Sequence, residues 1–136
     1  PESRKTDISC ALAFIAKAVK RKCTTFLISD FYSRKSFEKE LMVCSNKHDV
    51  VAIQVYDQFA KTLPDVGLMK VSDLETGHEM YIDTGDKKLR KAHHEYWVDR
   101  EKAMDMLFKR AHVDSVSIAT DEDYVSSLIH LFKMRS

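Results

Sequence analysis

Thr24-Thr25-Phe26-Leu27-Ile28-Ser29-Asp30 is the stretch from which the fold is read. Its first six residues carry no charge and include two threonines, a phenylalanine, a leucine and an isoleucine, which suits a strand buried on both faces. Lys20, Arg21 and Lys22 precede it, Phe31-Tyr32-Ser33 follows, and helical patterns lie beyond on both sides. A buried strand between amphipathic helices is the kernel of an α/β unit. Asp30 then stands at the strand's carboxyl end, the edge where open parallel sheets place their ligand crevices.

Upstream, Ile8, Ala11, Leu12, Ile15, Ala16 and Val19 recur at helical spacing and predict a helix over residues 7–21. Thr6-Asp7 offers its N-cap. Downstream, Phe37, Leu41 and Cys44 mark a second helix that ends near Asn46-Lys47-His48. The β-branched run from Asp49 to Tyr56 follows, closed by Asp57 much as Asp30 closes the first strand. Strand, helix and strand with short links make a right-handed crossover.

Past Asp57 the rhythm changes. Leu63-Pro64-Asp65-Val66-Gly67 is turn chemistry. Leu68–Ser72 and residues 79–82 read as a hairpin around Asp73-Leu74-Glu75-Thr76-Gly77, with Gly77 available for a left-handed position. A long helix is predicted over residues 87–111, its buried stripe traced by Leu89, Ala92, Tyr96, Ala103, Met104, Leu107 and Ala111. Residues 113–119 suit a last strand near the sheet edge. Thr120 is placed to cap the final helix, with Asp123 favourable to its dipole and Leu128, Leu131 and Phe132 along it.

The pattern predicts an α/β fold over 1–136 as one domain: a Rossmann-like three-layer α/β/α sandwich, its mostly parallel sheet interrupted by an inserted β-hairpin. Three parallel strands are few for such a sheet, and the chain opens Pro1-Glu2-Ser3, so further strands are expected before residue 1. Thr24–Ser29 would then be an exposed apolar edge, and the chain is expected to self-associate through it or a nearby helix face.

At 136 residues, 44% hydrophobic and 32% charged, the chain can build a core without staples. A formal net charge of +1 supplies no global field toward nucleic acid or an anionic membrane, and the local lysine clusters suit solvated helix faces. Cys10, Cys23 and Cys44 show no ligand spacing and read as reduced thiols of a cytoplasmic protein. No apolar run reaches the roughly 20 residues that span a bilayer.

The motifs of common chemistries are missing. There is no phosphate-cradling glycine loop and no HExxH, and the adjacent His93 and His94 make a poor metal pair. No nucleophile elbow is present. Thr6, Asp30 and Asp57 remain, all expected on one rim, where a hydroxyl and carboxylates are hard oxygen donors suited to Mg²⁺ or Mn²⁺. The plainer reading makes Thr6 a helix cap and the aspartates turn residues.

Several stretches in order carry a resemblance: Thr6-Asp7-Ile8, Phe26 through Phe31, His48 through Ile53, Val55-Tyr56-Asp57, Leu63 through Gly67, Asp73 through Gly77, Asp83-Thr84 and Thr120 through Tyr124. Together they resemble the later part of a bacterial von Willebrand factor A-like protein of the family called domain of unknown function fifty-eight. The resemblance implies a metal-ion-dependent adhesion site in the parent protein. There Thr6 matches the second-loop threonine and Asp30 the third-loop aspartate. The DxSxS motif of that site is not in this chain, so no tightly held cation is expected here, and Asp57 has no role to carry over. The implied function is a non-catalytic interaction module working with a MoxR-type AAA+ ATPase in a chaperone-like or assembly role. The alternative is a Mg²⁺-dependent phosphotransfer or hydrolytic enzyme using Asp30 and Asp57. It would need a further base or a cation on the same rim, and the pattern marks none.

Overall fold

The computed structural model describes residues 7–32, 35–72 and 76–135, with only the backbone of Phe59 and Ala60. Helix α1 (Ile8–Ala18) leads into strand β1 (Thr24–Ser29), helix α2 (Glu38–Lys47) and strand β2 (Asp49–Tyr56). A short α3 (Gln58–Lys61) precedes the hairpin of β3 (Leu68–Ser72) and β4 (Glu79–Asp83). Helix α4 (Lys87–Arg110), strand β5 (Asp114–Ala119) and helix α5 (Tyr124–Arg135) complete the chain. The sheet runs in the order β1-β2-β5, all parallel, and β3-β4 form a separate antiparallel pair. The fold is thus an α/β sandwich with an inserted hairpin.

One face of the sheet is closed by three helices. Ile8 and Leu12 of α1, Leu41 and Cys44 of α2, and Leu107 and Phe108 of α4 pack on Val50 and Ala52 of β2, with Leu27 beside them. Polar links fix the helices to each other. Asp7 caps α1 by accepting from the Cys10 amide at 3.0 Å, Lys47 donates to the carbonyl of Ala16, and the Ser45 hydroxyl donates to the carbonyl of Ala111 at 2.7 Å. The opposite face carries α5, anchored by Phe132 against Phe26 at 6.0 Å between ring centroids. Arg135 at its end also pairs with Asp49 and Asp114, the first residues of β2 and β5.

Several expectations need correction. Thr24–Ser29 is not buried on both faces: Phe26 is 44% and Ile28 65% exposed, and the strand buried throughout its middle is β2. The cause is position, since among the described residues β1 is the outer strand and α5 covers its side of the sheet only in part. Helix α1 ends at Ala18 because Val19 is already extended. In α4 the buried stripe runs through Trp97, Met104, Leu107, Phe108 and Ala111, leaving Ala92, Tyr96 and Ala103 exposed. Its first half leaves the core and leans over the rim, which rotates the stripe by one residue. The side chain that caps α5 is Asp123, accepting from the Val125 amide at 3.0 Å and the Ser126 hydroxyl at 3.1 Å, rather than Thr120. Helix α3 had no sequence signal. Gly77 takes the expected left-handed position, with φ +74°, while Asp73, Leu74 and Glu75 of that turn lie outside the described residues.

Candidate functional site at the carboxyl rim

Asp30 and Asp57 stand where the sequence places them, at the carboxyl ends of the neighbouring strands β1 and β2. They line one cleft of about 400 Å³ together with Thr120 after β5. Thr6 lies outside the described residues. The cleft is built from β1 outward. Phe31 adopts a left-handed conformation, φ 57°, and buries its ring against Phe37 and Phe108 at 6.0 and 5.1 Å. A non-glycine residue pays strain there, and burial of the ring offsets it. With Phe31 turned inward, Asp30 and Tyr32 on either side of it reach the cleft. Ser29 Oγ accepts from the Phe31 amide at 3.0 Å and Asp30 Oδ1 from the Tyr32 amide at 2.9 Å, so this turn is held by its own side chains.

Arg100 of α4 completes the cleft. Its Nη2 donates to the carbonyl oxygen of Asp30 at 2.9 Å, and its guanidinium lies 4.9 Å from the Trp97 ring and 5.5 Å from that of Tyr32. Aromatic faces attract a cation without neutralising its charge, so the guanidinium is positioned but keeps its charge for another group. On the far side, Gln54 accepts from the Ser117 hydroxyl at 3.3 Å, and the Thr120 amide donates to the Tyr56 carbonyl at 2.9 Å. Lys61 of α3 sits 4.8 Å from the Tyr56 ring and pairs with Glu101 at 2.6 Å, a hydrogen bond that raises its pKa. This contact ties α3, and with it the Asp57 turn, to α4.

The sequence reading missed Tyr32, Trp97 and Arg100. Trp97 and Arg100 continue the line of Met104 and Phe108 toward the helix start, beside the stripe that the sequence predicts through Leu89, Ala92 and Tyr96, so the periodic pattern does not pick them out.

The donors here do not by themselves fit a divalent ion. Mg²⁺ prefers about six oxygens in a rigid octahedron. The described residues bring the carboxylates of Asp30 and Asp57 and the hydroxyl of Thr120, with one Asp30 oxygen engaged by the Tyr32 amide and a guanidinium hydrogen-bonded to the same residue's carbonyl. No cluster of three or more His, Cys, Asp or Glu side chains suited to a metal occurs among the described residues.

A parallel sheet with a crevice across the carboxyl ends of its strands places the chain in the class of open α/β domains. Within that class it belongs to the family described as a protein of unknown function, DUF58, whose model matches residues 1–103. The uncharacterized protein MAV169 of Mycobacterium avium is 24% identical over 135 residues, an alignment covering 99% of this chain and 79% of that protein. The uncharacterized proteins Mb1516 of Mycobacterium bovis and Rv1480 of Mycobacterium tuberculosis are each 26% identical over 140 residues. The chain spans 42% of the length of each of these two. No solved structure matches the chain. Among the described residues no helix is long and apolar enough to cross a membrane.

Proposed function

We propose that the chain is a non-catalytic protein-interaction module of the von Willebrand A-like kind, whose carboxyl rim docks an acidic group of a protein partner. The observation that carries this reading is Arg100, held between Trp97, Tyr32 and the Asp30 carbonyl at the cleft. A partner carboxylate entering beside it would gain a charge-assisted hydrogen bond in a partly dry setting. The family resemblance makes a MoxR-type AAA+ ATPase the partner to test, in a chaperone-like or assembly role in the cytoplasm. It also makes Thr6 and Asp30 a partial cation site, with further oxygens supplied by the partner or by a longer protein. Titration calorimetry against such an ATPase, with and without Mg²⁺, tests the reading. Binding that falls at least tenfold in Arg100→Ala supports it; binding indifferent to both Arg100→Ala and Asp30→Ala sinks it.

The second reading is the Mg²⁺-dependent phosphotransfer or hydrolytic enzyme, and Arg100 favours it too, as a cation converging with Asp30 and Asp57 on the same rim. Turnover of p-nitrophenyl phosphate that disappears in Asp57→Asn would establish it in place of the first.

A further inference from the structure

The cleft over the strand ends carries charges of both signs that do not cancel. It is lined by residues 54–57 at the end of β2, the middle strand of the sheet, together with Arg100 on α4 and Thr120 after β5. Arg100 donates to the main-chain carbonyl of Asp30 at 2.9 Å, while the Asp30 carboxylate accepts from the Tyr32 amide at 2.9 Å. Guanidinium and carboxylate are therefore neighbours, and among the described residues no ion pair joins them. Asp57 brings a second carboxylate to the same wall. The rings of Tyr32, Tyr56 and Trp97 line the cleft around these groups. In such a setting each charge acts more strongly on an incoming group than it would in open water. A carboxylate drawn toward Arg100 also approaches two carboxylates, and like charges brought together oppose binding. A cationic group drawn to the aspartates meets the guanidinium in the same way. A group of one sign is thus a poor match, and the oxygen donors do not by themselves suit a divalent ion that would mask the aspartates.

We propose a refinement that rests on the rim-docking reading: the partner segment brings an acidic and a basic side chain together, and so supplies its own cation. Its carboxylate takes the Arg100 guanidinium in a charge-assisted hydrogen bond. Its ammonium or guanidinium takes the carboxylates of Asp30 and Asp57, with the aliphatic stem along the rings that line the cleft. In an extended segment, side chains two residues apart leave the same face. The complementary pattern is therefore an acidic residue, any residue, then a basic one. Charge complementarity on both counts favours this pair, and the repulsion that a like-charged pair meets excludes it. Specificity at the rim then comes from Asp30 and Asp57 as much as from Arg100.

Trp97 is the one tryptophan of the chain and lines the cleft, so its fluorescence reads occupancy. The probes are the blocked tripeptides acetyl-Glu-Ala-Lys-amide, acetyl-Glu-Ala-Glu-amide and acetyl-Lys-Ala-Lys-amide, titrated into the 136-residue chain in EDTA and again in Mg²⁺, with circular dichroism to verify the fold of each variant. The mixed peptide is expected to bind at least about tenfold more tightly than either like-charged one, the effect of a single charge-assisted contact, with or without Mg²⁺. Arg100→Ala should abolish that binding. Asn keeps the shape of Asp, and at position 30 it keeps the oxygen that accepts from the Tyr32 amide. In the double variant Asp30→Asn with Asp57→Asn, the mixed peptide should lose its advantage while the acidic peptide gains affinity, because the repulsion is gone. An acidic peptide that binds as well as the mixed one overturns the proposal, as does binding that requires Mg²⁺ or a preference that the double variant leaves intact. So does a mixed peptide that leaves Trp97 fluorescence unchanged up to its solubility limit. Rim docking itself falls by a different result, calorimetry against the ATPase that is indifferent to both Arg100→Ala and Asp30→Ala.

Discussion

The two faces of the parallel sheet are finished to different standards. Under α1, α2 and α4 the side chains of Leu12, Leu41, Cys44 and Phe108 are withdrawn from water, and the helices are joined by hydrogen bonds as well as by packing. The face under α5 keeps an apolar groove of about 440 Å³ lined by Ile28, Ile53, Val55, Ile118 and Leu128, and Tyr124, Val125, Ile129 and Phe132 of that helix remain exposed. One face holds the fold together, and the other leaves apolar surface exposed. Apolar residues make up both, so hydrophobicity alone does not tell a closed face from an open one.

The sharpest way to break this comparison is to truncate one aromatic on each side. Phe108→Ala should cost about 3–5 kcal/mol in urea denaturation, since it empties a site enclosed by Phe31, Leu107 and the sheet. Phe132→Ala should cost about 1 kcal/mol, because its ring is half exposed already. Equal losses would mean that the α5 face is as tightly closed as the other.

Thiol chemistry sharpens the same contrast. Burial pushes the pKa of Cys44 up, whereas Cys10 is exposed on α1. A disulfide reagent should therefore label Cys10 at once and Cys44 only at the rate of opening. Since the folded state holds the Cys44 proton more tightly than the unfolded one, its contribution to stability is complete below the unfolded thiol pKa. That contribution is lost as pH rises toward the folded value. Fast labelling of Cys44 in the native protein would contradict a closed face.

Smaller effects follow at the surface. Ile28→Lys should change stability by no more than about 0.5 kcal/mol, because the side chain is 65% exposed. At α1 the hydrogen bonds from Ser9 and Cys10 lower the pKa of Asp7. Its stabilisation is thus present above the unfolded carboxyl pKa of about 3.9 and fades as pH falls through the lower folded value. Asp7→Asn keeps a capping oxygen but removes the charge, so the two proteins should differ by a constant amount in thermal midpoint above about pH 4 and converge as pH falls below it.

The parts of the fold legible in the sequence were those with a strong period or a cap. The run from Asp49 to Tyr56 reads as a buried strand and is one, and Asp30 and Asp57 do close neighbouring strands on a common cleft. The burial of Thr24–Ser29 was not legible, because an apolar edge and an apolar centre have the same composition and differ only in what lies beside them. Arg100 was hidden for a related reason. A charged residue on a helix usually marks the solvated side, and only the three-dimensional course of α4 carries this one onto the rings of Trp97 and Tyr32. Thr6 lies outside the described residues, so the pairing of Thr6 with Asp30 rests on the resemblance.

The strand order also governs the time in which the molecule assembles. β1 meets β2 across a separation of 25 residues, whereas Ser117 of β5 reaches Gln54 of β2 from 63 residues away, after the hairpin and α4. Closing the longer loop costs more chain entropy before any contact repays it, and such distant pairings slow folding. As the polypeptide emerges, the edge of β2 that β5 will cover must wait bare until α4 and β5 arrive. The slow arrival of β5 is the interval in which this chain is most open to the wrong neighbour.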